Sequence, residues 1–296
     1  MATALAGVPR AEQKLSAKEF KTELKPIWCP GCGDFGVLAA LTKALSDVQV
    51  APENIAVLTG IGCAGRLPGY VNSYGFNALH GRVLPIATGL KITRPDLLVF
   101  AAGGDGDGLA IGAGHFPHAA RRNPDITYLM FDNQVYGLTK GQFSPTTPLG
   151  DVTTTTKHGS IEEPMNPCTL AMAYGASFVA RGFSGNVQHL ADVLLQAFRH
   201  PGFAFIQTIP PCVTFRGNEQ FRTIREKARW LGDEHDPTDW DSAWPIAAQT
   251  DIYDMSFGVI WRRERPTYEE RLGFLREKAA KRGPADFESV LAQFRP

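Results

Sequence analysis

The sequence predicts an α/β fold around a central, mostly parallel sheet. Short apolar runs bounded by turn signals recur at 55–59, 97–102, 126–131, 177–180 and 203–209. Segments of helical period lie between them, and Gly- or Pro-containing turns separate the two kinds. Strands that alternate with helices imply parallel pairing through right-handed crossovers.

In chain order, residues 1–25 are polar, with Lys14, Lys18, Lys21 and Lys25, and read as an arm with solvated charges. Trp28-Cys-Pro-Gly-Cys-Gly33 is a loop by its Pro and Gly content. Asp34 is placed to cap the next helix, whose apolar positions from Phe35 to Leu45 recur at helical spacing. The run from Ile55 ends at Ile61-Gly62-Cys63. Leu109–Arg121 reads as a helix rich in small residues. From Pro167 the pattern repeats, with helices near 169–175 and 187–199 and the last apolar run ending near Cys212. Beyond it the chain turns charged and richer in Trp, Pro and Arg. The expected organisation is an arm at 1–25, a main domain at 26–215, and an extension at 216–296 that packs on a partner.

The chain has 296 residues, enough for one large domain or two small ones. Its 30 basic and 30 acidic residues cancel, which argues against a nucleic-acid footprint. No apolar run approaches a membrane span, and Met1–Arg10 lacks a secretory pattern, so the expected compartment is the cytoplasm. Five cysteines in such a chain favour metal binding or catalysis over a disulfide framework.

Two of the apolar runs lead into Gly104-Asp105-Gly106 and Asp132-Asn133-Gln134-Val135-Tyr136-Gly137. Asp105 and Asn133 therefore sit just past strand carboxyl ends, where open α/β sheets bind ligands. A carboxylate and an amide oxygen are hard ligands that suit Mg²⁺, and glycine lets backbone approach phosphate. A GDG tripeptide alone is a common turn. The order strand, GDG, helix, strand, Asn resembles the thiamin diphosphate motif. That resemblance implies Mg²⁺ held by Asp105, Asn133 and the carbonyl of Val135. It implies diphosphate against Gly104 and Gly106, and a pocket lined by Tyr136, Gly137, Leu138 and Thr139. Asp107 either supports the metal site or is a solvated turn carboxylate.

Cys29-Pro-Gly-Cys32 is a CxxC, a pattern shared by redox pairs, zinc sites and iron–sulfur sites. Cys63 and Cys212 each follow a strand end, which puts four thiols from three loops on the edge that carries Asp105 and Asn133. Such a set suits a [4Fe–4S] cluster, and Cys₄ also suits Zn²⁺. Cys168, at the start of a helix with an apolar face, reads as a core or surface thiol.

The thiamin motif and the four cysteines together resemble the β subunits of two-subunit 2-oxoacid:ferredoxin oxidoreductases, from about Lys25 to Cys212. The segments that carry the likeness are Trp28-Cys-Pro-Gly-Cys-Gly-Asp-Phe-Gly36, Gly60-Ile-Gly-Cys63, His80-Gly-Arg82 through Lys91, Gly104–Asp107 and Asn133–Gln142. The resemblance implies a three-layer thiamin-diphosphate-binding fold. It implies Mg²⁺ and a [4Fe–4S] cluster on Cys29, Cys32, Cys63 and Cys212, with Gly62 and His80 near the cofactor. It also implies coenzyme A as co-substrate, ferredoxin as acceptor, and an α subunit in an (αβ)₂ assembly. Arg66 stands where similar enzymes place a basic residue near the substrate carboxylate, and a guanidinium there favours 2-oxoglutarate over pyruvate. Lys140 is a second candidate for that carboxylate. The rival readings are a non-redox thiamin enzyme and a zinc-stapled scaffold.

Overall fold

The computed structural model describes residues 5–284 and 286–295; Met1–Ala4, Ala285 and Pro296, at the ends of the expected arm and within the expected extension, lie outside them. Eight strands form one sheet in the order β2-β1-β3-β4-β6-β5-β8-β7. They are β1 (Ile55–Thr59), β2 (Tyr74–Asn77), β3 (Leu98–Gly104), β4 (Thr127–Phe131), β5 (Phe178–Phe183), β6 (Ala204–Ile209), β7 (Arg229–Trp230) and β8 (Ser256–Arg262). The six strands from β2 to β5 pair in parallel, and β8 runs antiparallel to β5.

The helices are α1 (Asp34–Val48), α2 (Val83–Thr93), α3 (Phe116–Arg122), α4 (Pro167–Ala173) and α5 (Val187–Arg199), then α6 (Val213–Arg216), α7 (Glu219–Lys227), α8 (Trp240–Ala247), α9 (Tyr268–Arg282) and α10 (Phe287–Ala292). Side chains alternate along the strands and fill two layers. Ile55, Val57, Phe100, Leu129 and Ile206 face α1 and α5 on one side. Leu58, Val99, Tyr128 and Phe205 face α2, α3, α4 and α8 on the other. Both faces are therefore covered, as a parallel sheet requires. No helix among the described residues is long and apolar enough to cross a membrane.

Four readings change. The Asp34 side chain caps nothing: the N-cap position falls on Gly33, and Asp34 opens α1 as a buried residue. The segment 109–121 is not one helix. A π-helical turn (Asp107–Ile111) precedes α3, because Gly112, Gly114 and Pro117 interrupt regular α-helical winding. The described part of 1–25 packs down, with Leu5, Val8 and Phe20 in the core. The segment after 216 returns to its own sheet as β7 and β8.

His200 closes α5 beside Phe178, with Nε2 2.8 Å from Ser177 Oγ. Burial pushes its pKa down from 6.5 to about 4. Between those values the unfolded chain binds the proton more readily, so this contribution to stability is lost as pH falls from 6.5 towards 4. His200→Gln should flatten that part of a plot of melting temperature against pH. An unchanged slope would contradict this assignment.

Candidate active site

The carboxyl ends of β1, β3, β4 and β6 open at one edge, and the four following loops form the site. Gly62, at φ +85°, turns the first loop. Trp28 ties the CxxC loop to it: the indole Nε1 donates to the Cys63 carbonyl at 2.9 Å, and the ring packs edge-on to Phe35 and Tyr70. The Gly33 amide bonds the Pro211 carbonyl at 3.1 Å, which ties the same loop to Cys212.

Cys29, Cys32, Cys63 and Cys212 line one cavity of about 160 Å³ with Arg66, Asn133, Gly137, Leu138 and Lys140. Arg66 and Lys140 are its cationic lining residues, and no carboxylate lines it. Burial is the main cause that pushes the Cys63 thiol up to about 12 and raises Cys32 and Cys212. Unmetallated, these thiols are protonated. Among the described residues, no group of three or more His, Cys, Asp or Glu side chains is gathered tightly enough for a single ion.

Beside this cavity lies a smaller cleft lined by Gly62, Cys63, Gly104, Asp105, Gly106, Asp107, Asn133, Val135 and Tyr136. Asp105 is buried at 3% exposure. Its Oδ2 accepts from Ser144 Oγ and Thr146 Oγ1, both at 2.6 Å. Among the described residues, no side-chain donor reaches Oδ1. Burial raises the Asp105 carboxyl, with the neighbouring Asp132 charge adding to it and the two hydroxyls opposing it. Asn133 Oδ1 accepts the Val135 amide at 3.2 Å, which shapes the turn, and Gln134 takes φ +60°. The cleft holds about 40 Å³, room for roughly one water. The Tyr136 hydroxyl, donating to the Gly106 carbonyl at 2.9 Å, lies across it.

Asp107 is no solvated turn carboxylate. At 2% exposure, its Oδ1 meets His80 Nδ1 at 2.7 Å and accepts the Gly81 amide at 2.8 Å. Its Oδ2 lies against the bare Cα atoms of Gly60 and Gly103, where any Cβ would collide with it. His80 thus stands at the cleft edge, its ring edge-on to Tyr136. Thr139 lines neither cavity and turns its hydroxyl to Gln142. Cys168 is buried, its thiol 3.2 Å from Gln207 Oε1.

Three features escape sequence reading. Ser144 and Thr146 sit in a polar stretch that reads only as a loop. Asp132 is bonded to Thr146 and Gln207 behind the site. Asp34 lines the cleft at 1% exposure with neither carboxylate oxygen hydrogen-bonded. Burial pushes it up to about 7, with the nearby Cys32 thiol opposing.

Comparison with known proteins fits this geometry. The profile for "Thiamine pyrophosphate enzyme, C-terminal TPP binding domain" matches residues 60–208. The profile for the C-terminal part of the pyruvate ferredoxin oxidoreductase beta chain matches 212–277. The β subunit of 2-oxoacid:ferredoxin oxidoreductase 2 from Aeropyrum pernix is 41% identical over 269 residues, 86% of each chain. The chain belongs to the β subunits of the 2-oxoacid:ferredoxin oxidoreductases. Within that family, the 2-oxoglutarate oxidoreductase subunit KorB of Mycobacterium tuberculosis is 44% identical over 222 residues, 75% of this chain and 59% of that one. A solved 2-oxoglutarate:ferredoxin oxidoreductase from Magnetococcus marinus, with 2-oxoglutarate, coenzyme A and succinyl-CoA bound, superposes with a TM-score of 0.90. It is 36% identical, over 98% of this chain and 100% of that chain.

The residues present fit the family's cofactors. The Asp105 carboxylate is braced on one oxygen at the cleft, with the Asn133 amide beside it in the same lining. The four thiols share one cavity bordered by cations.

Asp34 gives a pH test. Its folded value of about 7 lies above the ordinary 3.8, so stability is intact below 3.8 and is lost as pH rises through 7. In the cluster-free chain, Asp34→Asn should raise the melting temperature at pH 8 and leave it unchanged near pH 4. A uniform shift across that range would contradict the assignment.

Proposed function

We propose that the chain is the β subunit of a 2-oxoglutarate:ferredoxin oxidoreductase. The reaction is CoA-dependent oxidative decarboxylation of the 2-oxoacid to acyl-CoA and CO₂, or its reverse. The convergence of four thiols and the Asp105–Asn133 loops on one sheet edge carries this reading. The Mycobacterium tuberculosis and Magnetococcus marinus relatives support the choice of 2-oxoacid and co-substrate.

Asp105, Asn133 and the Val135 carbonyl would hold Mg²⁺, with Gly62, Gly104 and Gly106 giving the diphosphate close backbone approach. Cys29, Cys32, Cys63 and Cys212 would ligate a [4Fe–4S] cluster. When bound, thiamin diphosphate supplies the electron sink for decarboxylation, and the cluster carries the electrons out singly. The chain's own residues bind and orient. Arg66 and Lys140 provide cationic side chains for the distal carboxylate of 2-oxoglutarate. His80, fixed through Asp107, offers its remaining ring nitrogen to substrate or phosphate. Tyr136, Gly137 and Leu138 form the wall that follows Asn133.

The partners in this reading are an α subunit, in an (αβ)₂ assembly, and ferredoxin as electron acceptor, in a reducing cytoplasm. Phe274 and Phe287 stand exposed on the C-terminal helices and Phe294 just beyond the last of them, consistent with an extension that packs on the partner subunit.

Anaerobically purified protein should be brown, bleach with dithionite, and contain about four irons per chain. A colourless, zinc-loaded protein that resists iron–sulfur reconstitution would remove the electron path. In the assembled enzyme, Arg66→Met should raise KM for 2-oxoglutarate far more than for pyruvate. Equal effects on both substrates would sink the carboxylate assignment.

A further inference from the structure

The short segment Ser144-Pro145-Thr146-Thr147 belongs to no helix or strand, yet it touches both loops assigned to the cation. On one side, Ser144 Oγ and Thr146 Oγ1 both reach Asp105 Oδ2 at 2.6 Å. On the other, Thr147 Oγ1 donates to the Gln134 carbonyl at 2.8 Å, within the left-handed turn between Asn133 and Val135. The segment is closed on itself, since the Ser144 amide donates to Thr147 Oγ1 at 2.9 Å. Ser144, Thr146 and Thr147 are each at most 2% exposed.

Thr146 is also the bridge to a second buried carboxyl group. Its Oγ1 lies 2.7 Å from Asp132 Oδ1. Gln207 Nε2 donates to Asp132 Oδ2 at 2.7 Å, and Arg181 Nε donates to Gln207 Oε1 at 2.8 Å. Arg181 is fully buried, and its guanidinium is anchored on the carbonyls of Ala247, Gln249 and Ser256. The orientation of Asp105 is thus fixed through a chain of side-chain bonds that ends in the sheet and the C-terminal segment. Two buried carboxyl groups meet at one hydroxyl, and Arg181 is linked to Asp132 through Gln207. Such a site gains from a divalent cation at its open oxygen.

We propose that Thr146 is a positioning residue for the divalent cation: its hydroxyl, wedged between Asp105 and Asp132, turns Asp105 so that Oδ1 faces the cleft. The inference rests on the reading of Asp105 as a metal ligand. Outer partners of this kind change metal affinity by about 10- to 100-fold when removed.

The test uses metal-stripped full-length chain assembled with its α subunit and saturated with thiamin diphosphate. Mg²⁺ is titrated by calorimetry, and melting temperature is recorded alongside. Thr146→Val, which keeps the shape and loses the hydroxyl, should weaken Mg²⁺ binding about 10- to 100-fold with a melting temperature near that of the parent. Thr146→Ser should restore parent affinity. A folded Thr146→Val that binds Mg²⁺ like the parent overturns the proposal, provided Asp105→Ala abolishes binding. If Asp105→Ala also binds like the parent, the ligand reading fails and the proposal falls with it. Should Thr146→Val not fold, Ser144→Ala is read instead, since it removes the other donor to the same oxygen. Weakened Mg²⁺ binding supports the proposal there, and parent affinity overturns it.

Discussion

Parallel pairing of β1, β3, β4 and β6 is the constraint from which the site follows. Parallel neighbours must all end at the same edge, so the loops after Thr59, Gly104, Phe131 and Ile209 open side by side. Cys63, Asp105, Asn133 and Cys212 are far apart in sequence and are brought together by nothing more specific than this. The pairing survives because both faces are buried: α1 and α5 cover one, and α2, α3, α4 and α8 the other. An antiparallel partner enters only at β8, outside the four strands that carry the loops.

The edge gathers groups that burial disfavours when charged. Asp34, Asp105 and Asp132 are all pushed towards the neutral acid, and Cys32, Cys63 and Cys212 towards the thiol. Desolvation is the largest cause in every case. Buried ions persist only when paired or ligated, and the two sets are separated accordingly. Arg66 and Lys140 border the thiols, whereas Asp105 is braced by hydroxyls and Asp132 by Gln207 and Thr146. Hydroxyls orient a carboxylate without neutralising it, so no cation balances the acid side in the way Arg66 and Lys140 border the thiols. The thiol side, with cations already at its border, suits an anionic assembly.

Much of this was legible in the sequence, for a definite reason. Strands buried on both faces read as continuous apolar runs, so β1, β3, β4 and β6 announce themselves, and with them the loops they end in. β2 did not: Tyr74-Gly-Phe-Asn77 is exposed along its whole length and lacks an apolar run. β8 was lost because Ser256-Phe-Gly-Val lies within a polar, Arg-rich tail. The first-turn acid Asp34 matched the pattern of a cap. Its carboxylate instead faces the cleft, a tertiary fact no local pattern encodes. Ser144–Thr147 was invisible for the same reason. Its hydroxyls acquire a role only when the chain folds back across Asp105, about forty residues earlier.

Among the described residues, buried polar atoms without a partner lie both at this edge and away from it, the latter including Ser73 Oγ, His189 Nδ1 and Glu269 Oε1. Other buried polar side chains find partners inside the chain, as Arg181 does on four carbonyls and Lys91 does on the Leu97 carbonyl and Asp125. At the sheet edge, both Asp34 oxygens and Asp107 Oδ2 do not. A buried polar atom without a partner costs about 1–3 kcal/mol, so several at one edge are a real burden on a fold of ordinary stability. The rest of the molecule supplies the stability that makes this tolerable. The two core layers above and below the sheet hold the strands whose ends carry these groups.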